Sequence, residues 1–198
     1  MTIVLGLTGG IATGKSTADE FFRKQNIPII DADQISREIL NIGKPAWEQV
    51  KQQFGLEFFN ADQTVNRRKL GQYVFSHKSE LEKLNQITHP LIHEEIVEQI
   101  QSAKQKNLPL IILDAPVLFE TGGEKDCDQV LVIALPEQEQ LKRLMKRNNY
   151  DEKEAMDRIR SQMPLAQKIA KANYVVENTG TIIELEDKLA EVLRKIED

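Results

Sequence analysis

Apolar residues along the chain gather in short runs separated by longer amphipathic stretches. Ile3-Val4-Leu5-Gly6-Leu7 stops at Thr8-Gly9-Gly10 and reads as a buried strand. Ala18, Phe21 and Phe22 share one face of a helix over about 15–24. A second strand is expected over Ile27-Pro28-Ile29-Ile30-Asp31, with the proline near its start, where a missing N–H is tolerated. A helix over about 33–40 ends at Gly43-Lys44-Pro45, and another runs to about Phe54. Residues from about 66 to 105 are polar and helical, interrupted once at His89-Pro90. Leu110–Asp114, Gln129–Leu135 and Asn173–Glu177 read as three further strands. Charged helices over about 137–148 and 151–162 precede the last strand, and a helix over about 182–196 follows it.

Five apolar strands alternating with helices predict an α/β fold, with a parallel sheet covered by helices. Two helical stretches fall outside the alternation. The expected organisation is one unit with its core at about 1–61, 108–136 and 169–198, a helical insertion at about 62–107 and a second at about 137–168.

Composition narrows the classes. The chain has 198 residues, 40% hydrophobic and 29% charged, enough to bury a core without staples. Lys and Arg number 26 against 31 Asp and Glu, a net charge of -5, which argues against general nucleic-acid binding. One cysteine, Cys127, permits no intrachain disulfide, so a reducing, cytoplasmic setting is expected. No apolar run approaches the ~20 residues of a membrane span, and the N-terminus lacks a basic leader, so neither a span nor a signal peptide is expected. Oligomeric state is not legible.

Gly9-Gly10-Ile11-Ala12-Thr13-Gly14-Lys15-Ser16 fits G-x-x-x-x-G-K-[ST] between a predicted strand and a predicted helix, the context that makes it a phosphate loop. Backbone N–H groups of Gly10, Ile11, Ala12, Thr13 and Gly14 are expected to turn around an anion, helped by the helix N-terminus. Lys15 would meet the β- and γ-phosphates of ATP, Ser16 would offer its hydroxyl to Mg²⁺, and Thr17 is within reach of the α-phosphate. The D-x-x-G and N/T-K-x-D signatures of guanine-binding switches are absent, as is L-S-G-G-Q of transporter ATPases. A small phosphotransferase is the class that remains.

Further segments sharpen that class. They are Leu7-Thr8-Gly9-Gly10-Ile11 leading into the loop, Asp31-Ala32-Asp33, Arg67-Arg68, His89-Pro90, and Pro116-Val117-Leu118-Phe119-Glu120. Gln140 through Arg147 and Asn178-Thr179-Gly180 complete the set. In this order, over nearly the full length, the chain resembles the dephospho-coenzyme A kinase family. The resemblance implies a nucleoside-monophosphate-kinase-like fold with a coenzyme A insertion at about 62–107 and a lid at about 137–168. It also implies transfer of the ATP γ-phosphoryl to the ribose 3′-hydroxyl of dephospho-coenzyme A, the last step of coenzyme A synthesis. Rival readings at this stage are another small-molecule kinase and an ATP-binding regulatory protein. Two departures are visible: Ala12-Thr13 stand where the family often has glycine-serine, and Val117 where it often has leucine.

Candidate roles follow. Asp33 is the candidate base for the acceptor hydroxyl by resemblance and position, its alternative being a helix N-cap. Asp31 is expected to orient the turn or a Mg²⁺ water. Asp114 ends an apolar strand and is a candidate for a Mg²⁺ water or an ordinary polar strand end. Arg143 and Arg147, spaced i, i+4, are candidates for ATP, with Arg143 in a catalytic role; Arg158 and Arg160 are weaker ones. Thr8, Arg67, His89 and Glu120 are candidates for dephospho-coenzyme A, with surface charge or capping as their alternatives. Asn178 matches the family's adenine-side residue, or is a left-handed turn residue before Gly180. Cys127 receives no catalytic role, and Trp47, Phe58 and Phe59 are read chiefly as packing residues.

Overall fold

A computed structural model describes residues 2–197. Five strands form one parallel sheet: β1 (Ile3–Gly9), β2 (Ile29–Asp31), β3 (Leu110–Asp114), β4 (Gln129–Ala134) and β5 (Tyr174–Glu177). Their order is β2-β3-β1-β4-β5. Leu5 stands opposite Ile112 of β3 and Gln129 of β4, and Val132 opposite Val175 of β5. β3 is buried at every position, which is why its sequence is continuously apolar from Leu110 to Leu113 rather than alternating. The helices are α1 (Lys15–Lys24), α2 (Ala32–Glu38), α3 (Pro45–Phe54), α4 (Arg67–Ser76), α5 (Lys78–Gln105), α6 (Glu137–Asn148), α7 (Glu152–Arg160), α8 (Leu165–Lys171) and α9 (Ile182–Glu197).

The chain divides into two compact units, residues 1–30 with 102–198, and residues 31–101. In the first, Phe21 and Phe22 of α1 and Leu185, Leu189, Val192 and Ile196 of α9 close on Leu5, Leu7, Ile112, Leu131 and Ile133 of the sheet. Each such side chain stabilises the fold by roughly 1.5–3 kcal/mol when fully buried. The second unit has its own core: Trp47, Val50 and Phe54 of α3, Phe58, Val65, and Leu70 and Val74 of α4. This aromatic cluster draws residues from both sides of position 62, so residues 31–61 group with 62–101 and not with the sheet, unlike the boundary expected from sequence.

Three helical expectations are corrected. α5 runs unbroken through His89-Pro90; proline costs one backbone hydrogen bond, and a 28-residue helix sustains that loss. The polar stretch is instead divided at His77, the C-cap of α4, whose Nδ1 lies 2.8 Å from the Tyr73 carbonyl. α8 is a separate helix that the sequence pattern does not announce, because Met163-Pro164 reads as a terminus.

Candidate phosphate-binding site

β1 delivers the chain to Gly9 at the carboxyl edge of the sheet, and α1 begins six residues later at Lys15. Between them the backbone turns on Ala12, at φ +59°, and Gly14, at φ +98°. Gly14 is required twice over: its φ is left-handed, and a Cβ there would collide with Nδ2 of Asn178. Thr13 ties the loop to itself, its hydroxyl donating to the Gly10 carbonyl at 2.9 Å. The first turn of α1 contains no acidic residue and no side-chain cap. Its N–H groups and the helix dipole therefore favour an anion.

Lys15 donates to both carboxylate oxygens of Asp114, at 2.6 and 2.7 Å, and lies 3.5 Å from Asp19. Asp114 is buried at the end of β3. Burial raises the Asp19 carboxyl above its ordinary range, against the pull of Lys15. Ser16 is exposed and Thr17 half-buried on the first turn of α1. The hydroxyl of Ser16 and the carboxylate of Asp114 are oxygen donors, the chemistry that suits a hard divalent cation completed by water and phosphate. Among the described residues no group of three or more His, Cys, Asp or Glu side chains is placed to cage a metal.

Asn178, just past β5, is buried and sits between the loop and α6. Its Nδ2 donates to the Thr13 carbonyl at 2.8 Å, and its own carbonyl accepts from Nη2 of Arg143 at 3.0 Å. It is not among the residues with positive φ, so the left-handed alternative is not realised. Arg147 is exposed and donates to Oδ1 of Asn148 at 2.8 Å. Arg158 stacks 4.5 Å from the ring centre of Tyr150. A cavity of about 470 Å³ adjoins the loop, lined by Gly10, Ile11, Pro136, Gln140, Arg160 and Met163 among others. Gln140 is buried there, its Nε2 donating to the Leu135 carbonyl at 2.7 Å.

The loop after β3 is tied to the same region. Thr8 is buried and its hydroxyl donates to the Pro116 carbonyl at 3.1 Å. The Glu120 carboxylate accepts the Met163 N–H and pairs with Lys168, both at 2.9 Å. Lys168, fully buried, is a residue the sequence did not flag, because a lysine on a short charged helix ordinarily faces solvent.

The second unit carries the remaining candidates. Asp31 is the N-cap of α2, accepting the Gln34 N–H at 2.8 Å, so the capping role considered for Asp33 belongs to Asp31. Asp33 itself is exposed in the first turn. Arg67 is bonded to the Arg37 carbonyl, and burial, with the Arg37 cation second, lowers its pKa from the ordinary arginine value. The Lys69 ammonium donates to the Glu57 carbonyl at 2.7 Å. His89 is exposed on α5. Trp47 is a packing residue as expected, its indole donating to the Gln63 carbonyl at 2.8 Å. In the first unit, burial and then the neighbouring Asp126, Asp128 and Glu124 push the Cys127 thiol up to about 12, which leaves it a poor nucleophile.

Known proteins resemble this chain in sequence and in fold. The family model described as "CoaE: Dephospho-CoA kinase" matches residues 3–184. The dephospho-CoA kinase of Lactobacillus johnsonii is 52% identical over 196 residues, 99% of each chain. Among solved structures, TT1252 from Thermus thermophilus superposes with a TM-score of 0.84 at 32% identity, covering 98% of this chain and 97% of the other. The dephospho-CoA kinase from Campylobacter jejuni gives 0.77 at 29% identity, covering 99% and 98%.

Proposed function

The chain belongs to the dephospho-CoA kinase family, and from that premise we propose how its residues carry out the reaction. It is an ATP-dependent kinase that phosphorylates the ribose 3′-hydroxyl of dephospho-CoA, the final step of coenzyme A synthesis. The observation that carries the site assignment is the uncapped, acid-free start of α1 behind a loop that only glycine at position 14 can close. ATP lies with its phosphates on the N–H groups of residues 10–17. Lys15 exchanges its ion pair with Asp114 for contact with the β- and γ-phosphates.

Mg²⁺ would accompany ATP, with the Ser16 hydroxyl and, through water, Asp114 as the residues to hold it. When bound it neutralises phosphate charge. Arg143, held by one bond to the Asn178 carbonyl, keeps its other donors for phosphate oxygens, and Arg147 on the same helix face adds a second cation. Arg67 and His89 on the helical unit serve dephospho-CoA, whereas Thr8, fully buried with its hydroxyl on the Pro116 carbonyl, and Glu120, engaged by Lys168 and the Met163 N–H, hold the loop after β3 rather than the acceptor. Asp33 takes the proton from the 3′-hydroxyl as its oxygen forms a bond to the γ-phosphorus. The bond from that phosphorus to the β,γ-bridging oxygen breaks, and ADP leaves. The transition state is loose, so positioning and charge neutralisation supply more of the acceleration than the base. α6–α8 act as the lid that excludes water. A cytoplasmic setting fits the single half-buried thiol, and among the described residues no helix is long and apolar enough to cross a membrane.

The test is steady-state ADP release with dephospho-CoA as acceptor. Lys15→Ala is expected to weaken phosphate handling and nearly abolish transfer. Asp33→Asn is expected to lower kcat by on the order of 10²-fold while leaving ATP affinity unchanged. Parent-like turnover in Asp33→Asn would remove the base assignment.

A further inference from the structure

A buried ammonium needs an acceptor for each of its three N–H groups. Lys168 of α8 is 0% exposed and has all three. They are the Pro116 carbonyl at 2.6 Å, a Glu120 carboxylate oxygen at 2.9 Å and the Gly9 carbonyl at 3.4 Å. The acceptors come from two working parts of the site. Gly9 ends β1 and opens the phosphate loop. Pro116 and Glu120 belong to the loop after β3, and the same Pro116 carbonyl takes the Thr8 hydroxyl. Glu120 in turn accepts the Met163 N–H, at the base of the α6–α8 segment.

We propose that Lys168 is a positioning residue for phosphoryl transfer, a buried charge that fixes the phosphate loop, the loop after β3 and the base of the lid to one another. This rests on the kinase reading above. The backbone shows how the effect reaches the phosphate. The bond from the Ala115 N–H to the Leu7 carbonyl, 3.1 Å, continues the pairing of β3 with β1. The chain then turns at Pro116 and leaves the ladder, and Lys168 supplies a donor to the Gly9 carbonyl. No peptide bond among the described residues is cis. In a trans peptide the carbonyl and N–H point in opposite directions, so an ammonium that holds the Gly9 carbonyl also aims the Gly10 N–H. Gly10 is the first amide of the phosphate loop. An apolar side chain of similar length would fill the same volume at no electrostatic cost, so packing alone does not account for a charge here.

Lys168→Met keeps the length and removes the donors. Turnover of the unaltered protein with ATP and dephospho-CoA checks the kinase reading first, and the variant is compared with it. The expected result is a folded protein whose kcat falls about 30-fold or more while KM for ATP changes less than about 3-fold, the signature of lost geometry rather than lost binding. A kcat within about 3-fold of the parent, or an effect confined to KM, overturns the proposal. Should Lys168→Met not fold, Glu120→Gln carries the test, since that side chain is partly exposed and its removal of charge weakens the same junction. A melting temperature near the parent's with kcat reduced about 5-fold or more is expected, and unchanged kcat overturns the proposal. Amide exchange at Gly10 and Met163 in Glu120→Gln is the arm that needs no turnover. It is expected to speed up about 10-fold, and parent-like exchange overturns the positioning role even if dephospho-CoA proves not to be the acceptor.

Discussion

Ala12 holds a backbone conformation that L-residues avoid, at φ +59° in the middle of the phosphate loop. The left-handed region costs a residue with a Cβ roughly 1–2 kcal/mol, whereas glycine enters it freely but gives up about 0.5–1 kcal/mol through the entropy of the unfolded chain. The strain outweighs the entropy, so Ala12→Gly is expected to raise unfolding free energy by about 0.5–1 kcal/mol in urea titration. A loss of stability would show that the methyl group packs favourably enough to offset the strain. Other residues were less legible. Lys15 and Ser16 declare themselves by spacing, but Lys168 does not, because its acceptors are two backbone carbonyls and a carboxylate far away in sequence. The cap of α2 was expected, if anywhere, at Asp33, and the structure places it two residues earlier, at Asp31, whose backbone is extended and whose carboxylate accepts the Gln34 N–H.

At the scale of the element, helix termini follow local chemistry where a cap exists. α7 begins with a full capping box: the Asp151 side chain accepts the Glu154 N–H at 2.8 Å, and the Glu154 carboxylate accepts the Asp151 N–H at 3.2 Å. Both bonds lie at the exposed end of a nine-residue helix that packs on α6, the carrier of Arg143. Asp151→Ala removes the cap and is expected to lower stability by about 1 kcal/mol in chemical denaturation. A change below ~0.3 kcal/mol would mean that contact with α6 alone fixes α7. The strands were legible for a different reason. β1, β3 and β4 are buried on both faces, so each is a short run of apolar residues with a defined stop. What sequence concealed lies where punctuation misleads. Pro90 sits inside α5, while the break at His77 involves neither glycine nor proline.

For the molecule as a whole, the alternation of strands and helices announced a parallel α/β sheet, but strand order and unit boundary are settled only by tertiary contact. The order β2-β3-β1-β4-β5 places the phosphate loop on the central strand. The aromatic cluster of Trp47, Phe54 and Phe58 makes residues 31–101 a unit with its own core. Net charge sets a further constraint. At -5, the chain binds two anionic substrates only through local cations and backbone N–H groups. On the assignment proposed above, these groups are divided between the units: Lys15, Arg143 and the phosphate-loop amides in one, Arg67 in the other. The division predicts separate footprints in amide hydrogen exchange. Mg²⁺-ATP alone is expected to slow exchange over residues 10–17 and leave 31–101 near its unliganded rate. Dephospho-CoA alone is expected to slow exchange around Arg67 and His89. Bound ligand protects by removing locally open states, so the slowing should grow with occupancy and saturate. If dephospho-CoA protected residues of the sheet unit only, Arg67 and His89 would lose their assignment to the acceptor, and the helical unit would need another purpose.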